Sequence, residues 1–196
     1  MDKSNGYEHI SVIFIKIRGQ TVDGIGAASV RGWAQTMQRG SVVLDLGCGT
    51  GIPVSNVLID EGMTVYGVDA SPTLANAFRQ NFPHMPVACE AVEDSLFFGR
   101  KFDGIIAVGL MFLISEEAQI LLIKKAATAL KPGGKLLFTS PYSAVVWNDV
   151  MTGLRSTSLG AAKYKELISS SGLSLIEEFE DEGENHYYSA VKKDQR

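Results

Sequence analysis

The stretch Val42-Val43-Leu44-Asp45-Leu46-Gly47-Cys48-Gly49-Thr50-Gly51-Ile52-Pro53 limits what this chain can fold into more than any other. It starts as a short apolar run, the pattern of a strand buried on both faces. It then breaks into glycines at alternate positions, Gly47, Gly49 and Gly51, before a helical pattern over residues 53–60. Glycine is needed where the backbone must turn left-handed, or where a Cβ would block a ligand's approach. A strand that turns on glycines into a helix start is expected to bring bare backbone N–H groups, and the positive end of a helix dipole, to a ligand.

From this stretch onward strand and helix alternate. Strands are predicted at residues 42–46, 64–68, 87–89, 102–108 and 135–139, and helices at 54–61, 72–81 and 116–130. The punctuation agrees with that rhythm. Gly62 closes the first helix, Ser71-Pro72 supplies an N-cap and a first-turn proline, and Ser115 caps the long helix that Lys131-Pro132-Gly133-Gly134 ends. A helix at 161–171 precedes strands 174–181 and 186–192, joined by the polar turn Glu182-Gly183-Glu184-Asn185. The alternation implies right-handed crossovers and helices on both faces of a sheet. The fold class is α/β: a doubly wound, mostly parallel seven-stranded sheet with a C-terminal antiparallel hairpin.

Two stretches stand outside the rhythm. Residues 141–159, with Tyr142, Trp147, Asp149 and Met151, show no period and read as an irregular functional segment. Ahead of the first strand, residues 7–18 place Ile10, Ile13, Phe14 and Ile17 on one helical stripe, and 27–37 place Val30, Ala34 and Met37 on another. Residues 1–40 read as a helical cap on a body of residues 41–196, either covering a sheet edge or lidding the glycine-turn pocket.

Composition excludes several functions. A net charge of −4 and a pI near 5.4 lack the basic footprint of a nucleic-acid binder. Residues 10–17 are broken by Lys16 and too short to span a membrane, and residues 1–5 lack a leader pattern. Cys48 and Cys89 have neither metal nor disulfide spacing, which points to a reduced, cytoplasmic protein with no metal. At 196 residues, 45% of them apolar, a single soluble domain is expected.

In open sheets of this kind a ligand sits beyond the C-terminal ends of the strands. The glycine turn, Asp69, residues 89–93 and residues 109–112 all follow strands, so they converge on one edge. A dinucleotide site wants G-x-G-x-x-G; here the spacing is G-x-G-x-G, and Ile52 stands where the last glycine belongs. Asp69, at the end of the second strand, suits a ribose 2′,3′-diol and would repel a 2′-phosphate.

These residues carry a family resemblance. Val43-Leu44-Asp45-Leu46-Gly47-Cys48-Gly49-Thr50-Gly51 resembles motif I of the class I S-adenosylmethionine-dependent methyltransferases. Tyr66-Gly67-Val68-Asp69-Ala70-Ser71 is similar to their acidic second motif, and Leu130-Lys131-Pro132-Gly133-Gly134-Lys135-Leu136 to the turn before their fifth strand. The likeness spans residues 42–139. It implies a Rossmann-like fold with Gly47, Cys48 and Gly49 under the methionine part of S-adenosyl-L-methionine and Asp69 on the ribose. It further implies Ala70 and Leu74 beside the adenine, Ala91-Val92-Glu93 at its amino edge, and Val108-Gly109-Leu110 on the pocket floor. The family often has an aspartate near position 91, where this chain has alanine. Asp45 is expected to order the loop rather than touch the ligand. Arg18 and Arg31 are cations that could meet the cofactor carboxylate, with exposed surface arginine as the alternative.

A sulfonium methyl is already activated, so alignment and water exclusion suffice and no catalytic motif is obligatory. The Asn/Asp-Pro-Pro-Tyr motif of amino-methylating branches is absent; Gly109-Leu110-Met111-Phe112 stands there and suits a small, partly hydrophobic acceptor. Met111, Phe112, Trp147 and Tyr187 are the substrate-side candidates, with core packing as the competing role. His186, Asp149 and Tyr142 are candidate bases, His186 because an ordinary imidazole titrates near neutrality. The resulting expectation is methyl transfer from S-adenosyl-L-methionine to a small molecule, with S-adenosyl-L-homocysteine as product. The alternatives are a cofactor-binding module acting through a protein partner and, less favoured, an NAD-linked oxidoreductase.

Overall fold

The apolar run from Val42 does form a strand, β1 (Val42–Leu46), buried from Val43 onward and flanked on both sides by others. The computed structural model describes residues 3–19 and 21–193; Met1 and Asp2, part of the segment read for a leader, lie outside it. In chain order β1 is preceded by α1 (Tyr7–Ile17) and α2 (Ala27–Ala34). It is followed by α3 (Val54–Asp60), β2 (Thr64–Asp69), α4 (Pro72–Asn81), β3 (Val87–Cys89), β4 (Phe102–Ala107), α5 (Glu116–Ala129) and β5 (Leu130–Thr139). Then come β6 (Ala144–Asn148), β7 (Arg155–Leu159), α6 (Ala161–Ser170), β8 (Leu173–Glu180) and β9 (His186–Lys192).

The main sheet runs β3-β2-β1-β4-β5-β9-β8, parallel through β5, with β9 antiparallel to both β5 and β8. The order reverses at β1, which puts the glycine turn at the topological switch point. Strand alternation splits the interior into two layers. Leu44, Ile105, Phe138 and Tyr188 pack toward α5 and α6, while Val43, Ile106, Leu137 and Tyr187 pack toward α2, α3 and α4. The local signals behave as their chemistry requires: Ser71 Oγ accepts from Leu74 N–H, and Ser115 Oγ accepts from Ala118 N–H.

Three expectations need correction. Residues 141–159 are not irregular: β6 and β7 form a separate antiparallel hairpin, paired from Ala144 with Leu159 to Asn148 with Arg155. The stop after α5 is not a free turn, because Leu130 already pairs with Phe102 and residues 131–134 bulge out before Lys135 rejoins β4 at Gly104. The stripe on α1 is not buried either: Ser11 is the buried residue, whereas Ile13 and Ile17 are 54% and 60% exposed.

Candidate functional site

The glycine turn is self-bonded. Gly47, Gly49 and Gly51 have φ of 69°, 54° and 81°, so all three need the left-handed region that only glycine enters freely. The N–H groups of Gly47 and Cys48 donate to Val68 O, at 2.8 and 3.1 Å, and that of Gly51 to Cys48 O at 2.8 Å. Gly49 N–H donates to Asp69 Oδ2 at 2.7 Å and Ile52 N–H to Thr50 Oγ1 at 3.3 Å. Pro53 has no N–H. Five of the turn's N–H groups, those of Gly47, Cys48, Gly49, Gly51 and Ile52, are therefore engaged within the protein, and the turn offers a ligand a Cβ-free surface.

Asp69 is the second element. It is 8% exposed, and its Oδ1 accepts Ser71 N–H at 2.8 Å while Oδ2 accepts Gly49 N–H. One carboxylate thus ties the glycine turn to the entrance of α4, and each oxygen keeps a further lone pair for a ligand. Burial pushes its pKa up, against the pull of those two N–H bonds. Behind it, Asp45 is 2% exposed and accepts Ser55 Oγ–H at 2.6 Å. Burial pushes Asp45 up to about 7, Ser55 opposing and the nearby Asp69 adding to the rise.

These groups wall a cavity of about 730 Å³, within the range of small-molecule sites. Asp45, Gly47, Cys48 and Gly49 line it, with Asp69, Ala70 and Leu74 from the next strand end. Val92 and Glu93 border it after β3, and Val108, Gly109 and Leu110 after β4. Arg18, Phe112 and Asp149 line it from outside the sheet, and Tyr187 closes its back wall, fully buried, with its hydroxyl donating to Asp181 Oδ2 at 3.0 Å.

Other candidates sit elsewhere. Ala91 is buried beneath its loop, and Met111 is 2% exposed in the core layer of α5. Trp147 stands outside the cavity and packs at a tilt against Phe112, ring centroids 5.5 Å apart. His186 is not among the cavity-lining residues: by strand parity it points to the face of β9 opposite Tyr187, with Nε2 3.3 Å from Glu178 Oε1 and its ring between Tyr142 and Tyr188. Tyr142 lies with it, 59% exposed and away from the cavity. Arg31 pairs with Glu61, Nε to Oε1 at 3.1 Å, on the far side of α2.

The roof combines Phe14 and Ile17, already placed by sequence on the helical stripe of the cap, with Tyr7, Glu8 and Ile25, which sequence reasoning did not single out. Tyr7, Ile17 and Ile25 line the cavity, as does Phe14, whose ring would lie 3.6 Å from a Cβ at Gly49. Glu8 fixes this roof by accepting from Ser71 Oγ and from Thr73 N–H and Oγ1, at 3.0 and 2.7 Å for the latter two. Thr139 Oγ1 accepts Gly109 N–H at 2.8 Å and holds the floor. The α1–α2 loop is pinned from the other chain end, Gly26 N–H donating to Glu182 Oε1 at 3.1 Å. No sequence period marks Tyr7 or Glu8, because their partners lie 142 and about 65 residues away. Among the described residues no group of three or more histidine, cysteine or acidic side chains could hold a metal, and no helix is long and apolar enough to cross a membrane.

Comparison with known proteins adds an independent line. Residues 43–134 match the family described as "Methyltransferase domain". The ubiquinone biosynthesis O-methyltransferase of Coxiella burnetii is 33% identical over 110 residues, 54% of this chain and 46% of the relative. The chain thus spans about half the length of the curated relatives it matches. The 1,6-didemethyltoxoflavin-N1-methyltransferase of Burkholderia thailandensis, solved with S-adenosylhomocysteine, superposes with a TM-score of 0.71 at 18% identity, over 94% of this chain and 88% of that one. The cyclase SpnF superposes with a TM-score of 0.78 at 15% identity, over 100% and 97%. At these identities the structures establish the fold alone.

Proposed function

We propose that the chain is a class I S-adenosylmethionine-dependent methyltransferase, which its match to the methyltransferase domain family over residues 43–134 supports, and that it transfers a methyl group from S-adenosyl-L-methionine to a small-molecule acceptor. The observation that carries the reading is Asp69, a carboxylate at the end of β2 that walls the cavity next to a Cβ-free glycine turn. Asp69 would hold the ribose diol with its remaining lone pairs. Ala70 and Leu74 would flank the adenine, Glu93 its amino edge, and Arg18 the terminal carboxylate. Gly47 and Gly49 leave room for the chain that joins them, with Phe14 above. When bound, the cofactor supplies an electrophilic methyl on a positively charged sulfur, and S-adenosyl-L-homocysteine is the product. The protein's own part is to align the acceptor and exclude water, which α1 and the β6–β7 turn do by roofing the strand ends. In this reading residues 1–40 act as a cap on the body of residues 41–196.

An NAD-linked activity is disfavoured because Ile52 stands where the dinucleotide pattern needs its last glycine, and the N–H groups of Gly47, Cys48, Gly49 and Gly51 are already engaged. A binding module without transferase activity remains the rival, since the cyclase SpnF shares the fold. Calorimetric titration with S-adenosylmethionine, S-adenosylhomocysteine and NAD separates these readings. We expect both sulfur compounds to bind and NAD not to; preference for NAD would overturn the proposal. Failure of methyl-tritiated cofactor to label any small molecule of a cell extract would favour the binding module.

A further inference from the structure

The acceptor half of the cavity has a chemistry of its own, and reading it rests on the adenosyl cofactor filling the glycine-turn half. Its polar centre is Asp149, at the start of the β6–β7 turn and 6% exposed. Oδ1 is fully occupied: it accepts the N–H groups of Met151 and Thr152 at 2.9 and 2.8 Å and the Thr152 hydroxyl at 3.1 Å. Those bonds fix the side chain on a turn closed by Asp149 N–H to Leu154 O at 2.7 Å and Gly153 N–H to Asp149 O at 2.8 Å. Oδ2 is different. It meets the Tyr7 hydroxyl at 3.4 Å, too long for a good O–H···O bond. A buried carboxylate oxygen so poorly supplied with donors is costly unless a ligand supplies them.

The surrounding charge says what kind of donor. Among the described cavity residues the cations are Lys3 and Arg18. Lys3 is taken by Asp94 at 2.6 Å and Glu93 at 3.6 Å, and Arg18 is assigned above to the cofactor carboxylate. Apart from Arg18, whose charge also reaches Tyr7 beside Asp149, the charged side chains left to the acceptor are the carboxylates Asp149 and Asp23. The rest of its wall is apolar: Phe112 and Met151 inside, and at the mouth Ile17, Ile25 and Val150, which are 60%, 54% and 89% exposed. Large apolar side chains left in water around a cavity mouth mark a surface that a ligand's apolar part covers.

We propose that the acceptor is an amine carried on an apolar body, with its N–H groups held by Asp149 Oδ2 and its body lying across Ile17, Ile25 and Val150. An alcohol gives the carboxylate one hydrogen bond from a neutral donor, whereas an ammonium gives it an ion pair as well, in a site whose Arg18 is committed to the cofactor carboxylate in this reading. The reacting species is the free base. The ammonium proton passes to water through the open mouth, and the nitrogen lone pair forms the new N–CH₃ bond. The S–CH₃ bond breaks with both electrons going to sulfur, so the positive charge moves from sulfur to nitrogen.

The test is a matched panel of phenethylamine, phenethyl alcohol and hydrocinnamate, titrated calorimetrically into the S-adenosylhomocysteine-loaded protein at neutral pH. The amine is expected to bind at least about tenfold more tightly than the alcohol, the carboxylate most weakly. Asp149→Asn keeps the Oδ1 acceptor of the turn and should weaken amine binding about tenfold or more, while S-adenosylhomocysteine affinity stays within about twofold. Equal affinities, a reversed order, no amine binding up to about 10 mM, or an amine affinity unchanged in Asp149→Asn would each overturn the proposal. The wild-type panel decides the matter even if the variant folds poorly. Failure of S-adenosylhomocysteine itself to bind is a separate outcome: it would sink the cofactor reading, and this one with it.

Discussion

At the scale of single residues, Asp69 does structural work with both oxygens, and in the proposed reading the same two hold the ribose. Replacing it with alanine frees Gly49 N–H and Ser71 N–H and, in that reading, also removes the ribose partner. Asp69→Ala should weaken S-adenosylmethionine binding by about 1.5–3 kcal/mol, the scale of hydrogen bonds to a charged group, as read by calorimetry. An unchanged affinity would mean the ribose is held elsewhere. The glycines divide more finely than their spacing suggests. A Cβ at Gly51 would run into the Phe82 and Phe78 rings, while at Gly49 it would meet only the Phe14 ring at an ordinary 3.6 Å. Gly51→Ala should therefore cost the more stability in urea melts, by several kcal/mol against about 1–2 for the left-handed backbone alone at Gly49. Gly49→Ala should show its effect in cofactor affinity instead. Sequence spacing identifies the turn but cannot tell a glycine needed for packing from one that faces a ligand, since that depends on what α1 and α4 bring against it.

At the scale of elements, the β6–β7 hairpin explains why part of the site was illegible. Arg155-Ser156-Thr157-Ser158-Leu159 buries its three small polar residues, the reverse of the pattern by which half-buried strands are recognised. Their burial is made possible by a polar network. Gln119, fully buried on α5, donates through Nε2 to Ile114 O at 3.1 Å and Thr157 O at 2.9 Å, and its Oε1 accepts the Tyr164 hydroxyl at 2.6 Å. The same hydroxyl accepts Leu159 N–H at 3.2 Å and lies 2.8 Å from Ser140 Oγ. Because these groups come from α5, α6, β7 and the end of β5, no local window reveals them. Tyr164→Phe leaves the Gln119 carbonyl and the Leu159 N–H without that partner, and should destabilise the protein by about 1–3 kcal/mol in denaturant melts. Loss of hairpin order should appear alongside as faster hydrogen exchange at Ser158 and Leu159. Equal stability and exchange in the variant would show that the network does not hold the hairpin.

At the scale of the whole molecule, the layered sheet was legible because β1, β4 and β5 carry short apolar runs at residues 42–44, 105–107 and 136–138, and the caps of α4 and α5 are chemically unambiguous. The facing of β9 was not, since a one-residue change of register exchanges His186 and Tyr187 between the two layers. The same burial that builds the site also makes stability depend on pH. Asp45 sits at the centre of the fold with its carboxyl pushed by burial up to about 7, above the roughly 3.9 of an unfolded chain. Between those two values the folded protein keeps a proton that the unfolded chain has released. This contribution is therefore fully present below about pH 4 and is lost as pH rises through about 7. Asp103 acts with the opposite sign: despite partial desolvation, the Lys131 ammonium at 2.8 Å holds its pKa below the usual range, so its contribution is lost on acidification. Asp45→Asn removes the ionisation and keeps an acceptor for the Ser55 hydroxyl. In urea melts its stability should match the wild type within about 1 kcal/mol at pH 4 and exceed it by a few kcal/mol at pH 9. Parallel stability curves for the two proteins from pH 4 to pH 9 would show that the Asp45 carboxyl ionises in the fold as readily as it does in water.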